Sequence, residues 1–128
     1  MFNLPEGAYG RLPVGSGDII FLEGQKADKS YVILQGHVDI IIRDPAGDEF
    51  GIDRLGPGEL FGEIALLRRD QTRTATVVAV DSCELLEFTR DVFDERLSSA
   101  DPFLRFVLEH MTRRLVNTTG RLVMERAR

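Results

Sequence analysis

Glu63 and Arg73 stand ten residues apart, each at the edge of an apolar run. Gly62 precedes the acid and permits backbone geometry closed to other residues. The run Glu63-Ile64-Ala65-Leu66-Leu67 is too short for a full helix and reads as a single helical turn. The leading N–H groups of such a turn have no intrahelical acceptor and form a small anion site. Arg73 can bring a permanently charged, planar fork to the same place, and Thr74 offers a hydroxyl beside it. Amides and a guanidinium suit a phosphate. A carboxylate next to them repels a bare phosphate, so the ligand must also carry a neutral donor, as a sugar phosphate does.

These residues need a frame that holds them, and the sequence supplies short strands. Apolar runs at 18–22, 31–34, 38–42 and 50–55 are rich in Ile and Val and end at turn signals such as Gln35-Gly36, Asp44-Pro45-Ala46-Gly47-Asp48 and Gly56-Pro57-Gly58. A further strand follows the site at 75–80. Short strands at near-regular spacing indicate an all-β roll or barrel. Residues 1–9 are weakly patterned and read as an arm or the remnant of a helix. No helical periodicity appears before residue 63.

The C-terminal third is helical. A helix is predicted from Arg90 to Leu97, capped by Thr89 or Asp91, with Val92, Phe93 and Leu97 on one side. Asp101 as N-cap and Pro102 as first residue start the next helix. Along it Leu104, Leu108, Met111, Leu115, Thr118 and Leu122 are spaced 4, 3, 4, 3, 4, the seam of a two-stranded coiled coil. A second set, Phe103, Phe106 and Val107, is expected to pack back on the roll. Two apolar faces imply two partners, hence a parallel homodimer through this helix. Thr118 is a polar break in the seam, and Gly120 weakens the helix by roughly 1 kcal/mol relative to Ala.

The stretch Phe61-Gly62-Glu63-Ile64-Ala65-Leu66-Leu67 followed by Arg73-Thr74-Ala75 resembles the phosphate-binding cassette of cyclic nucleotide-binding domains. That family includes the bacterial catabolite activator, the regulatory subunit of protein kinase A and cyclic-nucleotide-gated channels. The resemblance covers about residues 10–90 as a β-roll with the cassette at 61–77, followed by helices at 90–126, all in one domain spanning 1–128. It implies that Glu63 accepts from the ribose 2′-hydroxyl and that Arg73 pairs with the cyclic phosphate. Gly62, Ile64 and Ala65 match positions whose backbone lines the site, and Ala75 completes the motif. Thr74 matches a small residue touching phosphate or base. Ile40 and Ile52 match apolar positions that line base or ribose, although as strand residues they read first as core. Thr118 and Thr119 match residues that in the catabolite activator contact the adenine amino group, one from each subunit. Thr72 departs from the family, where many members have Pro. The implied ligand is cyclic AMP, with cyclic GMP the weaker alternative, and the implied role is a sensor whose C-terminal helix moves on binding.

Composition narrows the alternatives. The chain has 128 residues, a formal net charge of −5 and a sequence pI of about 5.0. That balance speaks against a nucleic-acid binder, and Arg113, Arg114, Arg121, Arg126 and Arg128 read as solvated or helix-end charges. The single cysteine, Cys83, sits in an apolar run and reads as a buried thiol in a reducing, cytoplasmic setting. No signal peptide or membrane span is expected. Only His37 and His110 are present, so a metal-binding barrel enzyme lacks its ligands and no catalytic constellation emerges. No cofactor is expected. Two other roles stay open: a dimerisation scaffold of the same fold that ignores nucleotide, and the sensor part of a transcription regulator or channel.

Overall fold

β-branched runs punctuated by glycine turns become strands because each is too short to close a helix and each has an apolar side to bury. The computed structural model describes residues 9–67 and 70–126, with backbone alone at 116 and 118–126. In chain order the described strands are β1 (Tyr9–Val14), β2 (Ile19–Phe21), β3 (Lys29–Gln35), β4 (Val38–Arg43), β5 (Glu49–Leu55) and β6 (Leu60–Phe61). The short helix α1 (Glu63–Leu67) follows, then β7 (Thr76–Ala79), β8 (Cys83–Thr89), α2 (Arg90–Ser98) and α3 (Pro102–Arg126). The expected single turn at 63–67 is α1. Strands β1, β6 and β8 were not singled out in the sequence.

The strands form two antiparallel four-stranded sheets, ordered β1-β8-β3-β6 and β2-β7-β4-β5. This is the predicted roll, but the sheets do not close into a barrel. Pro13 sits in β1, at the edge of its sheet, where a missing N–H costs least. The main core lies between the sheets: Tyr31, Ile33, Phe61, Cys83 and Leu85 from one, Phe21, Val38, Val77 and Ala79 from the other. Ile33 and Leu85 are fully buried, each worth roughly 1.5–3 kcal/mol relative to exposure. The alternate residues Val32, Leu86 and Phe88 form a second apolar layer on the outer side of the first sheet. Ala27, Ala65 and Leu66 with Phe93 join α1 to α2.

Both predicted caps form. The Thr89 hydroxyl accepts from the Val92 N–H at 3.4 Å, and Asp101 Oδ1 accepts from the Phe103 N–H at 2.8 Å. In α2, Val92, Phe93 and Leu97 are the partly buried side, as expected. In α3 the expectation for Phe103 and Phe106 fails. They are 70% and 60% exposed, and only Val107 of that set is half-buried. α3 packs on α1, and among its described side chains the buried one is Thr112, 6% exposed, one heptad after the half-buried Arg105. Turning that stripe inward carries both phenylalanines outward. The seam residues Leu104, Leu108, Met111 and Leu115 remain 45–56% exposed in the single chain. The side chains of Thr118, Thr119, Gly120's neighbour Arg121 and Leu122 lie outside the described residues.

Candidate functional site

Arg73 is placed by backbone pairing before its side chain does anything. Its N–H donates to the Gln25 carbonyl at 2.8 Å and its carbonyl accepts from Gly24 at 2.9 Å. Ala27 N–H donates to the Gln71 carbonyl at 2.8 Å, and Lys26 bridges to Thr72. The 71–73 segment is thus pinned along the β2–β3 connection, and the side chain enters between the sheets. It is 5% exposed. Nη1 donates to the Gly62 carbonyl at 2.8 Å and Nη2 to the Lys29 carbonyl at 2.7 Å. The Cζ atom lies 3.8 Å from the centroid of the Phe21 ring. Among the described residues no carboxylate pairs with it within 4.0 Å. Burial pulls its pKa below the ordinary arginine value, partly offset by Tyr31, Asp28 and Glu63 nearby.

Glu63 and Arg73 therefore do not form a direct ion pair in this geometry. Glu63 begins α1, and burial raises its pKa above the ordinary glutamate value. Its own backbone N–H and the charge of Arg73 pull the other way. Gly62 has φ +84°, and a Cβ there would meet Arg73 Nη1 at 2.9 Å and Phe21 Cε2 at 3.3 Å. Glycine is required twice at this position, by backbone and by space.

A cavity of about 150 Å³ opens over these groups. Gly62, Glu63, Ile64, Ala65, Arg73, Thr74, Ala75 and Ile40 all line it. Thr74 is half-buried, and its hydroxyl has no hydrogen-bond partner among the described residues. Ile52 is not in the lining and is 45% exposed. The reason is a bulge: Ile40 faces Asp53 and Ile41 faces Gly51, so Ile52 is the extra residue on β5. Ile40 also packs against the main core, so its two readings coexist. Sequence reasoning missed Phe21, Leu55, Leu60, Phe61 and Val77 in the lining. Counting in twos from Arg73 along the extended chain would have found Val77, since 73, 75, 77 and 79 are all buried.

The other reactive side chains lie elsewhere. His37 is exposed between β3 and β4, with Nδ1 3.0 Å from Asp81 Oδ2. Cys83 is a free, buried thiol whose pKa is pushed up by burial. Its Sγ lies 3.3 Å from each of the His37 and Asp81 carbonyl oxygens, which share its one S–H donor. Among the described residues no three metal-ligating side chains cluster, and no helix is long and apolar enough to cross a membrane.

Comparison with known proteins fits this geometry. The family model for the cyclic nucleotide-binding domain matches residues 11–100. The cAMP-activated global transcriptional regulator CRP of Salmonella typhimurium is 31% identical over 100 residues, covering 78% of this chain and 48% of that protein. The chain spans about half the length of the curated relatives it matches. The cAMP-bound form of the EAL enzyme Bd1971 superposes with a TM-score of 0.80 at 32% identity, covering 86% of this chain and 29% of that one. The regulatory domain of Toxoplasma gondii PKA with cAMP gives a TM-score of 0.65 at 30% identity, covering 77% and 40%. With its cassette motif, its two-sheet roll and a family match that runs from β1 through α2, this chain belongs to the cyclic nucleotide-binding domain family.

Proposed function

We propose that residues 1–128 form one regulatory domain that binds a cyclic nucleotide, cyclic AMP in preference to cyclic GMP, and transmits binding through α3. The observation that carries this reading is Arg73. It is a buried cation held by two carbonyls and a ring, with Asp28 and Glu63 nearby but no carboxylate paired with it within 4.0 Å among the described residues. A charge held this way is costly unless an anion joins it. The amides at the start of α1 and the remaining guanidinium donors would hold the phosphate. Glu63 would accept from the ribose 2′-hydroxyl, and the Thr74 hydroxyl would meet phosphate or base. The base would extend past Ile40 towards α3, where Thr118 and Thr119 favour adenine. Relatives and structural neighbours named for cAMP support a cyclic nucleotide ligand, and Bd1971 is also known in a cGMP-bound form, so the preference for cyclic AMP rests on Thr118 and Thr119.

Calorimetric titration of the chain with each nucleotide tests it. Binding is expected for both, tighter for cyclic AMP, and lost in Arg73→Ala, where an unpaired phosphate costs on the order of 2–5 kcal/mol. Unchanged affinity in that variant refutes the assignment. Glu63→Ala is expected to weaken binding less, because it removes hydrogen bonds to a neutral hydroxyl.

The exposed row Leu104, Leu108, Met111 and Leu115 supports a homodimer through α3. It also favours the second reading, a dimerisation scaffold indifferent to nucleotide. A rise in melting temperature with cyclic AMP separates the two, since a ligand of the folded state must stabilise it. A cytoplasmic regulator, of transcription or of another output, is the setting this role fits.

A further inference from the structure

The geometry points to Phe21 as a positioning residue that holds the Arg73 guanidinium flat and fully charged for an incoming phosphate. This rests on the cyclic nucleotide reading and deepens it. Phe21 ends β2, is 8% exposed and lines the cavity. Its ring lies under the guanidinium, 3.8 Å from Cζ. The ring itself is fixed by two others. Its centroid is 6.1 Å from Tyr31 and 6.0 Å from Phe61, and those two stack at 5.2 Å. The platform is therefore as rigid as the core.

A ring suits this position better than a carboxylate. A carboxylate would neutralise the cation and occupy the fork that the phosphate needs. An aromatic face attracts the cation through its quadrupole yet carries no net charge. It also leaves the in-plane N–H donors untouched. Arginine has five, and the carbonyls of Gly62 and Lys29 each take one, so three remain. Two carbonyls fix the rotation of the fork in its plane and the ring fixes the plane. Pre-orientation of this kind spares the ligand the cost of ordering the side chain.

The test is site-specific replacement of Phe21 by mono-, di- and trifluorophenylalanine in the whole chain. Fluorination keeps the shape of the ring and drains electron density from its face. Calorimetry with cyclic AMP is expected to show stepwise weakening, about 2- to 30-fold across the series, with Phe21→Tyr close to the parent. In the unliganded protein the Arg73 Nε–H proton resonance is expected to show a ring-current shift that Phe21→Leu removes. Parallel slopes for a purine and a pyrimidine cyclic nucleotide assign the effect to the phosphate end. A slope seen with the purine alone assigns it to base stacking and overturns the proposal. Affinity independent of fluorination also overturns it, and that result is decisive even if Phe21→Leu fails to fold. A parent chain that binds neither nucleotide removes the reading underneath. A parent that binds, with a flat fluorination series, removes the role of Phe21 alone.

Discussion

Arg73 Nη1 donates to the Gly62 carbonyl at 2.8 Å, and a Cβ on that same glycine would stand 2.9 Å from the same nitrogen. The hydrogen bond and the missing side chain are two halves of one fit. Gly62→Ala places an L-residue at φ +84° and drives its methyl against the guanidinium. Stability is expected to fall by about 1–3 kcal/mol, measured by urea unfolding. Cyclic AMP affinity is expected to fall as well, because the fork must shift. A variant that kept both would mean that the fork is not held as described.

Glu63 gives a pH signature. Burial raises its folded-state pKa above the unfolded value. The folded protein then binds more protons than the unfolded one between the two values, so stability falls as pH rises through that window. The Glu63 contribution is fully present below the unfolded pKa and lost above the folded one. Glu63→Gln removes the ionisation and leaves an amide oxygen in its place. The variant is expected to be more stable than the parent at neutral pH, with the gap closing as pH falls towards the ordinary carboxylate range. Asp39 and Asp81 act in the opposite sense. Hydrogen bonds from Arg54 and His37 lower their pKa values, so what they contribute is lost as pH falls. Only the difference between variant and parent isolates Glu63. A difference independent of pH in chemical-denaturation series at several pH values would contradict this account.

The start of α3 depends on one carboxylate. Asp101 Oδ1 accepts from the Phe103 N–H at 2.8 Å, and the Asp101 carbonyl accepts from Arg105 at 3.0 Å. Asp101→Ala removes the first of these and is expected to cost about 0.5–2 kcal/mol. Asp101→Asn, which keeps an acceptor, is expected to restore most of it. Equal midpoints for the alanine and asparagine variants in thermal unfolding would show that the cap contributes little.

What was legible in the sequence was local. Strand runs, the single turn at α1 and the caps at Thr89 and Asp101 follow from residue type and spacing over a few positions. The meeting of Gly62, Glu63 and Arg73 at one cavity was legible because the cassette brings its own spacing. What was not legible depends on how elements meet. Ile52 left the cavity because of a one-residue bulge, which reverses the side-chain parity of β5 and leaves no mark in composition. Phe103 and Phe106 turned outward because the buried stripe of α3 runs through Thr112, a choice made by tertiary packing. Phe21 comes under Arg73 only when β2 and the cassette cross, with 51 residues of chain between them.

Leu108 and Met111 test the seam. They are 45% and 55% exposed in the single chain and stand one turn apart in the expected a/d register. A charge at either position disturbs little within the monomer, where an exposed substitution is usually worth within about 0.5 kcal/mol. In a dimer the same charge would face apolar neighbours from both copies, at a cost of several kcal/mol. Sedimentation equilibrium is therefore expected to show a dimer for the parent and a monomer for Leu108→Glu or Met111→Glu, with melting at low concentration nearly unchanged. If Thr118 and Thr119 read the base from both subunits, the monomeric variants should also bind cyclic AMP more weakly while keeping the Arg73 dependence. A parent that stays monomeric at high concentration, with or without nucleotide, would leave the row of exposed leucines without the partner assigned to it.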